Sequence, residues 1–181
     1  MRQSRIRGEG KSYYHCISRV VDRRFVLHAE EKEHFVTLMR KLEAFHGMRV
    51  VTYCVMSNHF HVVVRIDAER AAAWTTDEVL ERWTALFSGP LLVQRYLEEG
   101  RSGLSAGDAL AVDQLAATYR ARLADLSWFM RTLNEGIARQ ANAEDGVKGR
   151  FWEGRFKSQA LLDEQALIAA LAYVDHSLFL R

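Results

Sequence analysis

A single α+β domain is the fold class the sequence predicts, and three observations predict it. Short β-branched segments alternate in the first third, apolar residues recur at helical spacing through the rest, and no linker cuts the chain into separate folding units. The 181 residues are 49% apolar, enough to bury a core. Their formal charge of +2 does not mark out a nucleic-acid binder, so any basic surface must come from local clustering. Cys16 and Cys54 form neither a CxxC pair nor a disulfide framework and read as reduced thiols facing a core. No run of 18 apolar residues occurs, and the basic N-terminus lacks an apolar h-region. The expectation is a soluble, cytoplasmic protein with no membrane partner.

Taken in order, "SYYHCISRVV" (12–21) alternates as a strand. Residues 30–47 carry Phe35, Met39, Leu42 and Phe45 at helical spacing and stop at Gly47, which suits a C-cap. "MRVVTYCVM" (48–56) and "HFHVVVRI" (59–66) are strands joined by a "SN" turn, so 48–66 forms a hairpin. Residues 75–99 and 106–123 look helical, with Thr75 or Thr76 and Asp108 as caps. Residues 123–142 put Leu126, Phe129, Met130, Leu133 and Ile137 on one helical face. "FWEGRFKSQALL" (151–162) is a basic, aromatic turn leading into a short strand, and 163–178 is a terminal helix with an acidic first turn. Locally paired strands with helices returning over one face suggest a ferredoxin-like antiparallel sheet. The expected organisation is one domain, 1–181, with a helical insertion at about 67–122.

His59 and His61 emerge on one face of their strand, roughly 7 Å apart at about 3.4 Å per residue, while Phe60 points the other way into the core. Two imidazoles on one face can converge on a cation; they can equally be two polar residues on a half-exposed strand. The cysteines lack zinc-type spacing with them, which disfavours a closed structural zinc. An open site of two imidazoles, one more donor and water would fit a divalent ion acting as a Lewis acid on a phosphoryl oxygen.

Such a site requires a nucleophile. No serine sits in a G-x-S-x-G elbow and neither cysteine lies in an electropositive stretch. Tyr173 differs from the other tyrosines: in the last helix it lies roughly 150° from the stripe of Leu167, Leu171 and Val174, on an accessible face. It is either an amphipathic tyrosine at a helix edge or a nucleophile whose phenol, with a reference pKa of about 10, is activated by a nearby cation.

"GVKGRFWEGRFKS" (146–158) interleaves Lys148, Arg150, Arg155 and Lys157 with Phe151, Trp152 and Phe156. Cations that track phosphates beside rings that stack on unpaired bases suit single-stranded nucleic acid. The aromatics can also be core residues while the cations face solvent, and alternation allows both.

Together "YYHCISRVVDRRF", "YCVMSNHFHVVVRI", "LSWFMRTLNEGIARQAN", "GRFWEGRFKSQALLDE" and "AYVD" closely resemble the single-tyrosine HUH transposases, specifically the IS200-like, REP-associated tyrosine transposases. The resemblance covers 12–66 and 123–175 in the same order. It implies a ferredoxin-like fold and a DNA endonuclease and strand transferase acting through a 5′-phosphotyrosine. His59 and His61 would be the metal ligands for Mg²⁺ or Mn²⁺, and Tyr173 the nucleophile. The substrate would be single-stranded DNA folded into a palindromic hairpin, gripped by Lys148, Arg150, Trp152, Arg155 and Lys157. Relatives continue after the tyrosine as "YVDLNP", whereas this chain reads "YVDHSLFLR". That leaves the third ligand among His176, Asp175 and Ser177. It also keeps open a catalytically impaired hairpin-binding protein, and both a monomer and a homodimer.

Overall fold

The computed structural model describes residues 11–24 and 26–179. Strands β1 (Lys11–Arg19), β2 (Met48–Val55), β3 (His59–Asp67) and β4 (Lys157–Leu161) form one antiparallel sheet in the order β2-β3-β1-β4. Helix α1 (Ala29–Phe45) connects β1 to β2, and α6 (Leu126–Glu144) precedes β4. With β3 between β1 and β2, and β1 between β3 and β4, this is the ferredoxin-like arrangement expected from the sequence.

Strand alternation divides the sheet into two faces. Tyr14, Cys16, Phe60, Val62 and Val64 point into the main core, where Phe35, Met39 and Leu42 of α1 meet Phe129, Met130, Leu133 and Ile137 of α6. The two helices pack closely at Gly136, where a Cβ would collide with Leu38. The opposite face carries Cys54 and Val63, covered by Ala170 and Val174 of α7 (Glu164–Phe179). The last helix therefore lies across the sheet from α1 and α6. Both cysteines are buried, one on each face, and neither is in a disulfide.

Between β3 and α6 the chain forms α2 (Ala68–Ala72), α3 (Thr76–Thr84), α4 (Leu91–Glu99) and α5 (Ala106–Leu123). These helices have their own apolar cluster, including Val79, Leu80, Val93 and Val112, with Trp83 and Tyr119 stacked at 4.1 Å. The sequence pattern predicts one helix over 75–99, but the chain breaks before Pro90. Proline steers the residue before it out of the α region, and here it occupies the N-cap of α4. Thr75 caps α3 reciprocally with Glu78, as expected. Ser105 caps α5 instead of Asp108, because its hydroxyl accepts the Asp108 N–H. No helix among the described residues is long and apolar enough to cross a membrane.

His46, fully buried at the end of α1, fastens this helical segment to the sheet domain. Its Nδ1–H donates to the Leu123 carbonyl at 3.1 Å, and the Gly47 N–H reaches the same oxygen at 2.9 Å. The ring also meets Phe129 edge-on. Burial pushes its pKa down to about 4, against which the Leu123 bond acts only partly.

Trp152 lies just before β4 and is 9% exposed. Its ring packs edge-on against Phe60 and Phe151, and its indole N–H donates to the Asn134 carbonyl at 2.8 Å. Asn134 in turn donates to the buried Ser18 hydroxyl, tying α6 to β1. The stacking role that the sequence suggests for Trp152 is therefore corrected: the indole is part of the main core, with no face open to a base.

Two predictions follow from this packing. Neutral His46 is favoured in the folded state, so stability should fall as pH drops from about 6.5 towards 4, and be independent of this group above 6.5. The loss is on the order of 3 kcal/mol, and His46→Gln, which retains a donor but does not titrate, should flatten that acid slope in urea unfolding. An unchanged slope would contradict the assignment. Trp152→Ala should cost about 3–5 kcal/mol in the same measurement, while Arg155→Ala should shift stability by less than about 0.5 kcal/mol.

Candidate active site

The sheet face beneath α7 carries the histidines. Because Phe60 and Val62 point to the main core, His59, His61 and Val63 point to the α7 side. Opposite them on β1, in register, are Arg19 across from His59, Ile17 across from His61 and His15 across from Val63. Lys157 of β4 pairs with Ile17, which puts it on the same face, two strands from His61.

α7 brings Tyr173 to this cluster. Ala170 and Val174 anchor the helix on Cys54 and Val63. The tyrosine ring then lies 5.4 Å from His61 and 6.1 Å from His15, centroid to centroid, while remaining 56% exposed. His59 meets His61 edge-on at 5.1 Å. His15 stacks on His61 at the same separation, with its Nε2 2.9 Å from His61 Nδ1. His59, His61 and Tyr173, the residues singled out from the sequence, are thus neighbours although Tyr173 comes from the far end of the chain.

The turn before β3 is held from three sides. The Asn58 carbonyl accepts the Val20 N–H at 2.8 Å, the Ser57 carbonyl accepts the Leu27 N–H at 2.9 Å, and the Asn58 amide donates to the Arg23 carbonyl at 3.1 Å. Arg23 and its neighbour Asp22 have positive φ of 55° and 54°, a conformation that costs about 1–2 kcal/mol per non-glycine residue. The Asn58 bond helps to hold that loop against the turn. With the amide nitrogen on Arg23, the remaining Asn58 Oδ1 faces His59 Nδ1 at 2.6 Å. An oxygen there can only accept, so His59 carries its proton on Nδ1 and leaves Nε2 with a lone pair.

Electrostatics keep the imidazoles neutral. Burial, followed by repulsion from His15, His59 and Arg19, pushes His61 down to about 4. Burial and then the Arg19 charge lower His59, and burial alone lowers His15. Neutral imidazoles are the form that ligates a metal. Among the described residues no three His, Cys, Asp or Glu side chains are grouped to hold a metal ion. Asp175 accepts the Thr52 hydroxyl at 3.0 Å on β2, and His176 is exposed. The Ser177 side chain lies outside the described residues.

The basic stretch divides. Lys148, Arg155 and Lys157 are exposed. Arg150 is exposed too, but its guanidinium donates to the carbonyls of Trp152 and Glu153 and so holds its own turn. Sequence reasoning missed His15, Arg19 and Asn58. Alternation alone would put His15, Ile17 and Arg19 on one face of β1, but only the β1–β3 register shows that this is the face of His59 and His61.

Residues 10–75 match the family model described as Transposase IS200 like. No curated protein matches the chain. Among solved structures, the REP-associated tyrosine transposase bound to a REP hairpin shares the fold at a TM-score of 0.51 and 12% identity, over 96% of this chain and 70% of that one. A candidate transposase from Deinococcus radiodurans R1, at 1.90 Å resolution, aligns at a TM-score of 0.43 and 14% identity, over 98% of both chains. Residues 10–75 are thus similar to IS200-like transposases, and the chain as a whole shares its fold with a REP-associated tyrosine transposase.

Proposed function

We propose that this chain is a transposase-type DNA-processing enzyme that cleaves single-stranded hairpin DNA through Tyr173, with a divalent ion held at His59 and His61. The observation that carries the reading is the convergence of Tyr173 on His61, at 5.4 Å, although the two are far apart in the sequence. The IS200-like match supports the DNA-processing class, and the REP hairpin bound by the structural relative supports hairpin DNA as the partner.

The donor chemistry fits an open metal site: two neutral imidazoles on one face, with the remaining positions left to water and a phosphate oxygen. Imidazole nitrogen is softer than the oxygen donors Mg²⁺ prefers, so His59 and His61 would hold Mn²⁺ more tightly than Mg²⁺. A bound ion of either kind supplies Lewis-acid polarisation of the scissile phosphate. Arg19 beside His59 and Lys157 across the sheet add positive charge where the phosphate chain would run, and Arg155 and Lys148 are exposed cations of the same basic stretch as Lys157.

In this reading Tyr173 Oη attacks the phosphorus in line. The Oη–P bond forms as the P–O3′ bond breaks, the phenolic proton passes to water, and the leaving 3′ oxygen takes up a proton. The products are a 5′-phosphotyrosine and a free 3′-hydroxyl. Attack by another 3′-hydroxyl reverses the step and frees Tyr173, so rejoining requires no ATP.

Purified protein mixed with single-stranded hairpin DNAs and Mn²⁺ should give a covalent adduct that survives a denaturing gel. Tyr173→Phe and His59→Ala should abolish it. An adduct that persists in Tyr173→Phe would remove the tyrosine from the chemistry. Tight hairpin binding with no adduct from the wild type would identify a binding protein without turnover.

A further inference from the structure

His15 has no assigned role, yet its Nε2 lies 2.9 Å from Nδ1 of His61. One of the two nitrogens must carry the hydrogen, and which one does decides what His61 can offer a ligand. Nδ1 of the neighbouring His59 is already committed as a donor, because Asn58 Oδ1 faces it. His59 therefore presents Nε2. For both histidines to present the same nitrogen, His61 must also be protonated on Nδ1, with His15 as the acceptor.

We infer that His15 is a positioning residue that accepts the Nδ1–H of His61 and so fixes the tautomer in which His61 Nε2 is the open ligand atom. Each member of the histidine pair then has its own orienting acceptor: Asn58 for His59 and His15 for His61. Acceptors of this kind are usually carboxylates, backbone carbonyls or waters. Here the acceptor is a third imidazole, stacked on its partner at a 27° interplanar angle.

Local packing gives the arrangement its rigidity. Tyr14 and Cys16, which flank His15 in β1, point into the main core and fix the strand, so His15 must lie on the α7 face. Tyr173 then lies against both His15 and His61. Loss of the His15 ring would free His61 to rotate or to take the opposite tautomer, withdrawing one of the two metal donors. His15 would not bind the metal itself.

This inference rests on His59 and His61 as metal ligands, and the test separates the two ideas. In the metal-free wild type, ¹⁵N-imidazole spectra should show His61 and His59 both protonated on Nδ1. Titration with Zn²⁺ as a diamagnetic probe should shift Nε2 of His59 and His61 while both His15 nitrogens stay unligated. Mn²⁺ affinity should weaken roughly 10–100-fold in His15→Ala. His15→Gln, whose side-chain oxygen can accept the same hydrogen, should restore most of it.

A His61 protonated on Nε2, a zinc-bound His15, or a His15→Ala protein of unchanged affinity would overturn the positioning role and leave the metal reading standing. A wild type that binds neither Zn²⁺ nor Mn²⁺ would overturn the metal reading and the inference with it.

Discussion

The site depends on one constraint: β3 is a central strand buried on both faces, so its alternation cannot slip. Phe60, Val62 and Val64 are fully buried against α1 and α6, while Val63 is fully buried against α7. A shift of one residue would drive His59 and His61 into the apolar core and turn Phe60 towards α7. The cost of desolvating two imidazoles and exposing three large apolar side chains therefore sets the direction in which the histidines point. Pairing with β1 on one side and β2 on the other extends that register across the sheet.

The remaining parts of the site are set relative to β3. β1 contributes His15 and Arg19 on the same face, and the loop after it fastens the Asn58 turn through Val20, Arg23 and Leu27. α7 is anchored by small and branched residues, Ala170 and Val174, which leaves Tyr173 at the helix margin, over the histidines but open to solvent. For the proposed role, a fully buried tyrosine could not reach a polymeric substrate, and a fully exposed one would not be held near the imidazoles. Trp152 and Asn134 serve the same geometry from behind: they tie the 151–152 segment to α6 and β1, so that β4 starts in register with Lys157 beside Ile17.

Much of this was legible in the sequence because it follows from short periods. The hairpin of β2 and β3, the α6 face and the buried stripe of α7 all appear as local apolar spacing, and the two-fold period of β3 separates Phe60 from His59 and His61. The break at Pro90 is hidden in the sequence because helical spacing looks continuous on both sides of it. Trp152 was ambiguous for a different reason: an aromatic between arginines has the same local pattern whether it stacks on a base or fills a core, and only the packing of Phe60 and Asn134 around it decides. His15 was invisible as a site residue because its partner is 46 positions away, and the register that joins them is a property of the folded sheet.

The most direct measurement is anomalous diffraction from crystals soaked in Mn²⁺. The account predicts a single strong peak on the α7 face of the sheet, shared by His59 and His61 and lying beside Tyr173. A peak elsewhere, or full occupancy at Asp175 and Thr52 with the histidines unligated, would contradict it.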